Sequence, residues 1–177
     1  MGIPLVGWIK PWAESRRETW FGGFPLRNFG IVAQGKIYRS AFLSIDCALF
    51  MRSKIGLKTI IDLRGNIDPN TMAAREAVFL HNGFRFFNIP FDDKSLPRAS
   101  DVARCYELMT DERNYPLDIH CAGGRHRTGG MVAFYRQRHD LWTPQASYDE
   151  AVDPYGFYTA WGHGDWKDFI LHGKVAK

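Results

Sequence analysis

The sequence predicts an α/β domain with a central, mostly parallel sheet of four to five strands flanked by helices. Three observations carry that expectation. Short β-branched or aromatic runs alternate with stretches of helical periodicity, as repeated strand–helix units do. The chain has 177 residues, 45% hydrophobic and 24% charged, enough for one domain with a substantial core. A glycine loop beginning at Cys121 lies between an apolar run and a helical pattern, where a strand meets a helix N-terminus.

The elements follow in order. Residues 1–28, with Trp8, Trp12, Trp20 and Phe21, read as an irregular aromatic-rich arm, and residues 29–177 as the folded domain. Lys36-Ile37-Tyr38-Arg39-Ser40 reads as a short strand. Ser44 is placed to cap a helix running to about Ile55, with Gly56 as its stop. The run from Leu57 to Leu63 suits a buried strand. A helix over about Thr71 to Asn82 is stopped by Gly83, and Phe84 to Ile89 forms the next strand. After a polar loop from Phe91 to Pro97, Val102, Cys105, Tyr106 and Met109 mark one face of an amphipathic helix. Leu117 to Cys121 is the strand that feeds the glycine loop. Thr128 to His139 is helical, Thr143-Pro144 opens another helix, and a last one covers about Asp165 to His172.

Net charge is +4, which favours anionic partners but is too weak to indicate nucleic acid. No apolar stretch is long enough for a membrane span. Three cysteines, Cys47, Cys105 and Cys121, do not form a disulfide framework, and no zinc-ligand spacing occurs. The expectation is a reducing, cytoplasmic setting, with export of a processed chain left open. Cys47 and Cys105 carry no chemistry in this reading, and Cys105 belongs to the core.

The chemistry concentrates in His120-Cys121-Ala122-Gly123-Gly124-Arg125-His126-Arg127-Thr128-Gly129. An ordinary thiol has a pKa of about 8.5 and is mostly protonated at neutral pH. A helix N-terminus and a facing cation lower it. Free N–H groups of Ala122, Gly123, Gly124, Arg125 and His126 would cradle phosphate oxygens, and the glycines allow close approach. Arg127 can fork two donors onto a phosphate, and Thr128 can donate its hydroxyl to the sulfur. These residues suit nucleophilic attack on a phosphate ester with no metal and no cofactor.

HCAGGRHRTG matches the His-Cys-x5-Arg-Thr-Gly signature of the protein tyrosine phosphatase superfamily. Lys36 to Ser40 and Ile60-Ile61-Asp62-Leu63-Arg64 resemble the early strands of its small dual-specificity branch. The resemblance covers residues 28–160 and implies the cysteine-dependent phosphatase fold. It also implies a two-step reaction through a phosphocysteine, with an aspartic acid serving as proton donor and then as base. That aspartate is expected on a mobile loop roughly thirty residues before the cysteine. Asp92 and Asp93 stand 29 and 28 positions before Cys121, and spacing favours Asp92. Asp62 and Asp118 are weaker candidates. His120 is expected to fix loop hydrogen bonds rather than to move the substrate proton.

The substrate is less sharply marked. Arg125 and His126 add positive charge beside Arg127, and Lys94 and Arg98 flank the acid loop as rim cations. The Gly-Arg-His-Arg-Thr-Gly core resembles the loop of small phosphatases acting on inositol phosphates and pyrophosphates. The acid spacing resembles that of bacterial tyrosine-phosphatase-like phytases. The expected partner is therefore a polyanionic small-molecule phosphate ester, an inositol polyphosphate such as phytate. A phosphoprotein, through tyrosine or dual-specificity phosphatase activity, is the alternative. A phosphate-binding module without turnover is the lesser one, since the cysteine, arginine and acid are all available.

Overall fold

The computed structural model describes residues 18–21 and 24–176, with side chains from residue 26 onward. Strands β1 (Glu18–Phe21) and β2 (Phe24–Arg27) pair antiparallel. The five-stranded sheet comprises β3 (Gly30–Ala33), β4 (Ile37–Ser40), β5 (Thr59–Arg64), β6 (Arg85–Phe91) and β7 (Leu117–His120). Its order is β3-β4-β7-β5-β6, with only the β3–β4 pair antiparallel. Among the described residues six α-helices accompany it: α1 (Ile45–Ile55), α2 (Pro69–His81), α3 (Ala99–Thr110), α4 (His126–Arg138), α5 (Pro144–Val152) and α6 (Gly164–His172).

Neighbouring strand residues point to opposite faces, so the sheet feeds two cores. Ile37 and Ile61 join Met109, Met131, Val132, Trp166 and Phe169 on one side. Tyr38 and Ile60 join Ala48, Met51, Phe79 and Phe84 on the other. The expected caps are present. Ser44 accepts from the Cys47 N–H, Thr143 accepts from the Ala146 N–H, and Gly56 takes φ 71° as the stop of α1. Cys105 is fully buried in the core, and burial pushes its thiol pKa up.

The fold class is as expected, with three corrections. The stretch read as an irregular arm holds the β1–β2 hairpin. Leu26 is buried and Asn28 reaches the glycine loop, so the packed body begins before residue 29. The expected packing of Trp8 and Trp12 lies outside the described residues, and of Trp20 and Phe21 only the backbone is described. Strand β3 has no counterpart in the sequence reading; it is a four-residue edge strand paired on one side only. Helices α2 and α4 each begin two residues earlier than expected. Asp68 caps α2 through the Thr71 N–H and hydroxyl, with Pro69 in the first turn. At α4 the loop itself winds into the first turn from His126. Among the described residues no helix is long and apolar enough to cross a membrane.

Candidate active site

Strand β7 runs down the middle of the sheet and delivers Cys121 at its C-terminal end. The thiol is 3% exposed, under the N-terminus of α4. The Gly124 N–H donates to Cys121 Sγ at 3.2 Å. Burial works against the thiolate, but the Arg127 guanidinium, Thr128 and the Gly124 amide outweigh it, so the pKa falls below the ordinary thiol value. The Thr128 hydroxyl is buried outside full hydrogen-bond geometry to any described group. It is a loose partner of the sulfur rather than a locked one.

A loop whose amides face an anion must turn its carbonyls away, and those buried acceptors need donors. Asn28 and Arg39 provide them. Asn28 Nδ2 lies 3.0 Å from Gly123 O, 3.1 Å from Gly124 O and 3.0 Å from Tyr155 O. Arg39 Nη2 donates to Gly124 O at 2.6 Å, and its guanidinium sits 3.6 Å from the Tyr155 ring centroid. Tyr155 in turn fills space that any side chain at position 30 would occupy, so Gly30 is required there. In the sequence Arg39 stands out only as part of a strand, and Asn28 and Tyr155 carry no signal.

Behind the loop lies a buried charge network. Asp62 accepts from the Arg64 and Arg75 guanidiniums at 2.7 and 2.9 Å. Burial opposes its ionisation, but His120 and Arg64 pull the pKa down to about 2. Burial takes His120 down to about 4 despite Asp62, so its ring is neutral at neutral pH. Its Nδ1 lies 3.3 Å from the Cys121 carbonyl, which only accepts, and Arg75 Nη2 lies 3.1 Å from its Nε2. Nδ1 therefore carries the hydrogen. Asp118 is also fully buried. Burial raises its pKa to about 8, against the hydrogen bond from the Ser40 hydroxyl. Neither Asp62 nor Asp118 reaches the pocket.

The pocket above Cys121 has a volume of about 170 Å³. The loop lines it with Cys121, Ala122, Gly123, Arg125, His126 and Arg127. Asp93, Tyr158 and His163 complete the wall. Arg127 is 8% exposed and braced by donation to Phe91 O at 3.3 Å. Gly124 is not in the wall; its amide serves the sulfur, and Thr128 is buried.

The two adjacent aspartates part company here. Asp92 Oδ1 accepts from the Lys94 N–H at 2.7 Å and from the Ser95 hydroxyl at 3.2 Å, and its Oδ2 accepts from Asn66 at 3.1 Å. The Lys94 amide bond, then Asn66, lowers the Asp92 pKa. Asp92 is thus a loop cap, whereas Asp93 faces the pocket. The preference that spacing gave to Asp92 runs against this geometry.

The rim also differs from expectation. Arg98 pairs with Asp101 at 2.8 Å, is 65% exposed and lines no part of the pocket. Lys94 is exposed, with its stem beside Gly162, and is likewise outside the wall. His126 adds no charge. Its ring stacks on His163 with centroids 3.6 Å apart and planes 9° apart, and burial and His163 lower its pKa to about 4. The wall cations are Arg125, whose guanidinium lies 5.7 Å from the Tyr158 centroid, and Arg127. Among the described residues no group of three or more His, Cys, Asp or Glu side chains is arranged to hold a metal ion.

Fold and loop define a phosphatase domain of the dual-specificity class within the protein tyrosine phosphatase superfamily. Residues 34–160 match the family described as "DSP-PTPase phosphatase fused to NAD+ Kinase", and the chain belongs to that family. It is similar to inositol diphosphatase DSP1 of Oryza sativa subsp. japonica, 30% identical over 130 residues, covering 71% of this chain and 56% of that protein. It is similar to inositol diphosphatase SIW14 of Saccharomyces cerevisiae, 27% identical over 131 residues, covering 71% and 44%. The chain spans about half the length of the curated relatives it matches. Among solved structures, the catalytic core of the yeast PP-IP phosphatase SIW14 superposes with a TM-score of 0.67 at 24% identity, covering 83% of this chain and 85% of that one. TpbA of P. aeruginosa gives 0.65 at 22%, covering 81% and 83%.

Proposed function

We propose that this chain is a cysteine-dependent phosphatase that acts on inositol phosphates, with the terminal phosphate of an inositol pyrophosphate as its preferred target. One observation carries the reaction type. The Cys121 thiol, with its lowered pKa, lies at the base of a pocket walled by loop residues, Arg127 and Asp93.

In this reading the phosphoryl group sits among the loop amides with Arg127 forked onto two of its oxygens. Cys121 Sγ attacks phosphorus, the S–P bond forms and the P–O bond to the leaving group breaks. Protonated Asp93 gives its proton to the leaving oxygen. Asp93, now a carboxylate, takes a proton from water, whose oxygen attacks phosphorus. The S–P bond breaks, releasing inorganic phosphate and the thiolate.

The names of the relatives support the substrate class. Pocket size is consistent with it, since about 170 Å³ takes one phosphoryl group and leaves a highly charged ring at the mouth near Arg125. A second reading has its own observation. The Tyr158 ring in the pocket wall would lie along the ring of a phosphotyrosine.

A turnover panel in EDTA tests both. The expected order of kcat/KM is diphosphoinositol pentakisphosphate, then phytate, then phosphotyrosine peptides, with at least about tenfold, or about 1.4 kcal/mol, between first and last. A peptide preference replaces the first reading with the second. No phosphate release from any substrate removes both.

A further inference from the structure

The two consecutive carbonyls of Asp92 and Asp93 are both taken by side chains from the C-terminal segment. Trp166 Nε1–H donates to Asp92 O at 3.1 Å. His163 Nδ1 lies 2.8 Å from Asp93 O. A carbonyl oxygen only accepts, so Nδ1 of His163 carries the hydrogen. The same His163 ring stacks on His126, a residue of the phosphate loop and the first of α4. One side chain therefore touches both the acid loop and the loop that holds the nucleophile.

Its own position is well supported. His163 is 6% exposed, and Tyr158 packs edge-on against it with centroids 5.3 Å apart. Trp166 is fully buried and occupies the space left by Gly130 on α4, where any Cβ would collide with its ring. Phe91, the residue before the two aspartates, meets Trp166 edge-to-face at 5.6 Å. Helix α4 begins at the phosphate loop, α6 locks onto α4 at Gly130, and the segment around α6 holds the acid loop.

We infer that His163 is a positioning residue that sets Asp93 over Cys121, through its hydrogen bond to the Asp93 carbonyl and its stack on His126. The inference rests on the reading of Asp93 as the proton donor. It gives the acid loop a fixed address set by the C-terminal segment. A loop held only through the Asp92 side chain, by its own amides and by Asn66, would leave the Asp93 carbonyl without a donor.

Leaving-group dependence separates this role from mere packing. The second-order constant kcat/KM reports phosphoryl transfer to Cys121 and not the later hydrolysis. Phenyl phosphate needs a proton on its leaving oxygen, and p-nitrophenyl phosphate hardly does. Four variants of the full chain are compared with wild type, with a thermal melt on each. Asp93→Asn is the reference, with an expected loss of about a hundredfold on phenyl phosphate and far less on p-nitrophenyl phosphate. His163→Phe keeps a ring for the stack and removes the donor. It is expected to lose about tenfold on phenyl phosphate and under about threefold on p-nitrophenyl phosphate. His163→Asn places an amide N–H near the position of Nδ1 without the ring, and is expected to restore part of the phenyl phosphate rate lost in His163→Phe; no restoration at all overturns the role of the hydrogen bond. Trp166→Phe fills the Gly130 slot but gives up the bond to Asp92, and is expected to show the same selectivity, more weakly.

Equal losses on both substrates in His163→Phe, or none on either, overturn the proposal while Asp93→Asn stays selective. If His163→Phe does not fold, Trp166→Phe decides by the same criterion. If Asp93→Asn itself shows no leaving-group dependence, the acid reading fails first and takes the positioning role with it.

Discussion

Replacing Gly124 with alanine should cripple this protein, while the same change one residue earlier should leave the melt and the thiol titration almost unmoved. Gly124 has φ 67°, where an L side chain costs about 1–2 kcal/mol. Its Cβ would also lie 2.7 Å from Ser40 O and 2.8 Å from Ala41 N. Those are backbone atoms at the end of β4, which is held in register by the pairing of Ser40 with His120 on β7. The strand cannot yield without breaking the centre of the sheet, so the loop must. Overpacking of that kind adds about 1–3 kcal/mol. Together the two effects lower Tm by on the order of 5–15 °C for a domain of this size. Gly123 has no positive φ, and a Cβ there would find its nearest neighbours, Arg125 Cγ and Cδ, 3.9 Å away.

The chemical consequence is separable from the thermal one. When the loop shifts, the Gly124 N–H leaves Cys121 Sγ, and a thiolate that loses a donor has a higher pKa. The rate of iodoacetate alkylation against pH therefore moves to higher pH in Gly124→Ala and stays in place in Gly123→Ala. Differential scanning fluorimetry gives the melts. A Gly124→Ala protein with wild-type Tm and wild-type thiol titration would refute the reasoning, as would equal damage at both glycines.

Three further outcomes follow from the same geometry. Cys121→Ser should lose turnover entirely yet bind phosphate by calorimetry within a few-fold of wild type, because the amides and Arg127 survive; residual turnover near the wild-type rate would remove Cys121 as nucleophile. Asn28→Ala strands the Gly123 carbonyl and leaves that of Gly124 to Arg39 alone, and should cost about 1–3 kcal/mol along with a drop in kcat; an unchanged melt and rate would show that the loop does not need this brace. Asp118→Asn should stabilise the fold increasingly as pH rises. The folded pKa of Asp118 is raised to about 8 by burial, against about 4 unfolded, so its favourable contribution is complete below pH 4 and is lost as pH climbs towards 8. The slope is at most about 1.4 kcal/mol per pH unit. A Tm difference between variant and wild type that is flat from pH 5 to 8 contradicts this.

The parts of the site that are contiguous in sequence were legible in it. Cys121, Arg127 and the helix that follows belong to one strand–loop–helix unit, where spacing alone dictates geometry. Strand β3 was not legible, because four residues at a sheet edge leave no periodicity to read. Asp92 and Asp93 were separable in principle. An aspartate followed two and three residues later by free N–H groups is a loop cap, and Asp92-Asp93-Lys94-Ser95 has that form. Spacing from the cysteine points the other way, to Asp92. The charge of His126 was not legible at all, since its neutrality comes from burial and from the His163 ring, 37 positions away in the chain. Asn28, Arg39 and Tyr155 stayed hidden for the same reason. Asn28 and Arg39 act on main-chain carbonyls of the loop and Tyr155 braces those two, and such contacts leave no pattern in the residues that accept them.

Those hidden residues explain why the site can be built before substrate arrives. Loop amides that point inward are worth most when they need not reorganise during the reaction. Here the orientation is enforced from behind, by donors at Asn28 and Arg39 on the opposite face of the same peptides. Arg39 is buried, and burial lowers its pKa, yet its charge has the Gly124 carbonyl and the Tyr155 ring to rest on. A second set of contacts runs through His163 and Trp166 to the acid loop. The first set braces the cradle through Asn28 before β3, Arg39 on β4 and Tyr155 after α5. The second holds the carbonyls of Asp92 and Asp93 through Trp166 on α6 and His163 just before it. The two sets share no side chain, and His163 joins the second to the phosphate loop through its stack on His126. Loss of Asn28 should depress turnover of every substrate alike, whereas loss of the His163 donor should spare substrates that leave without a proton.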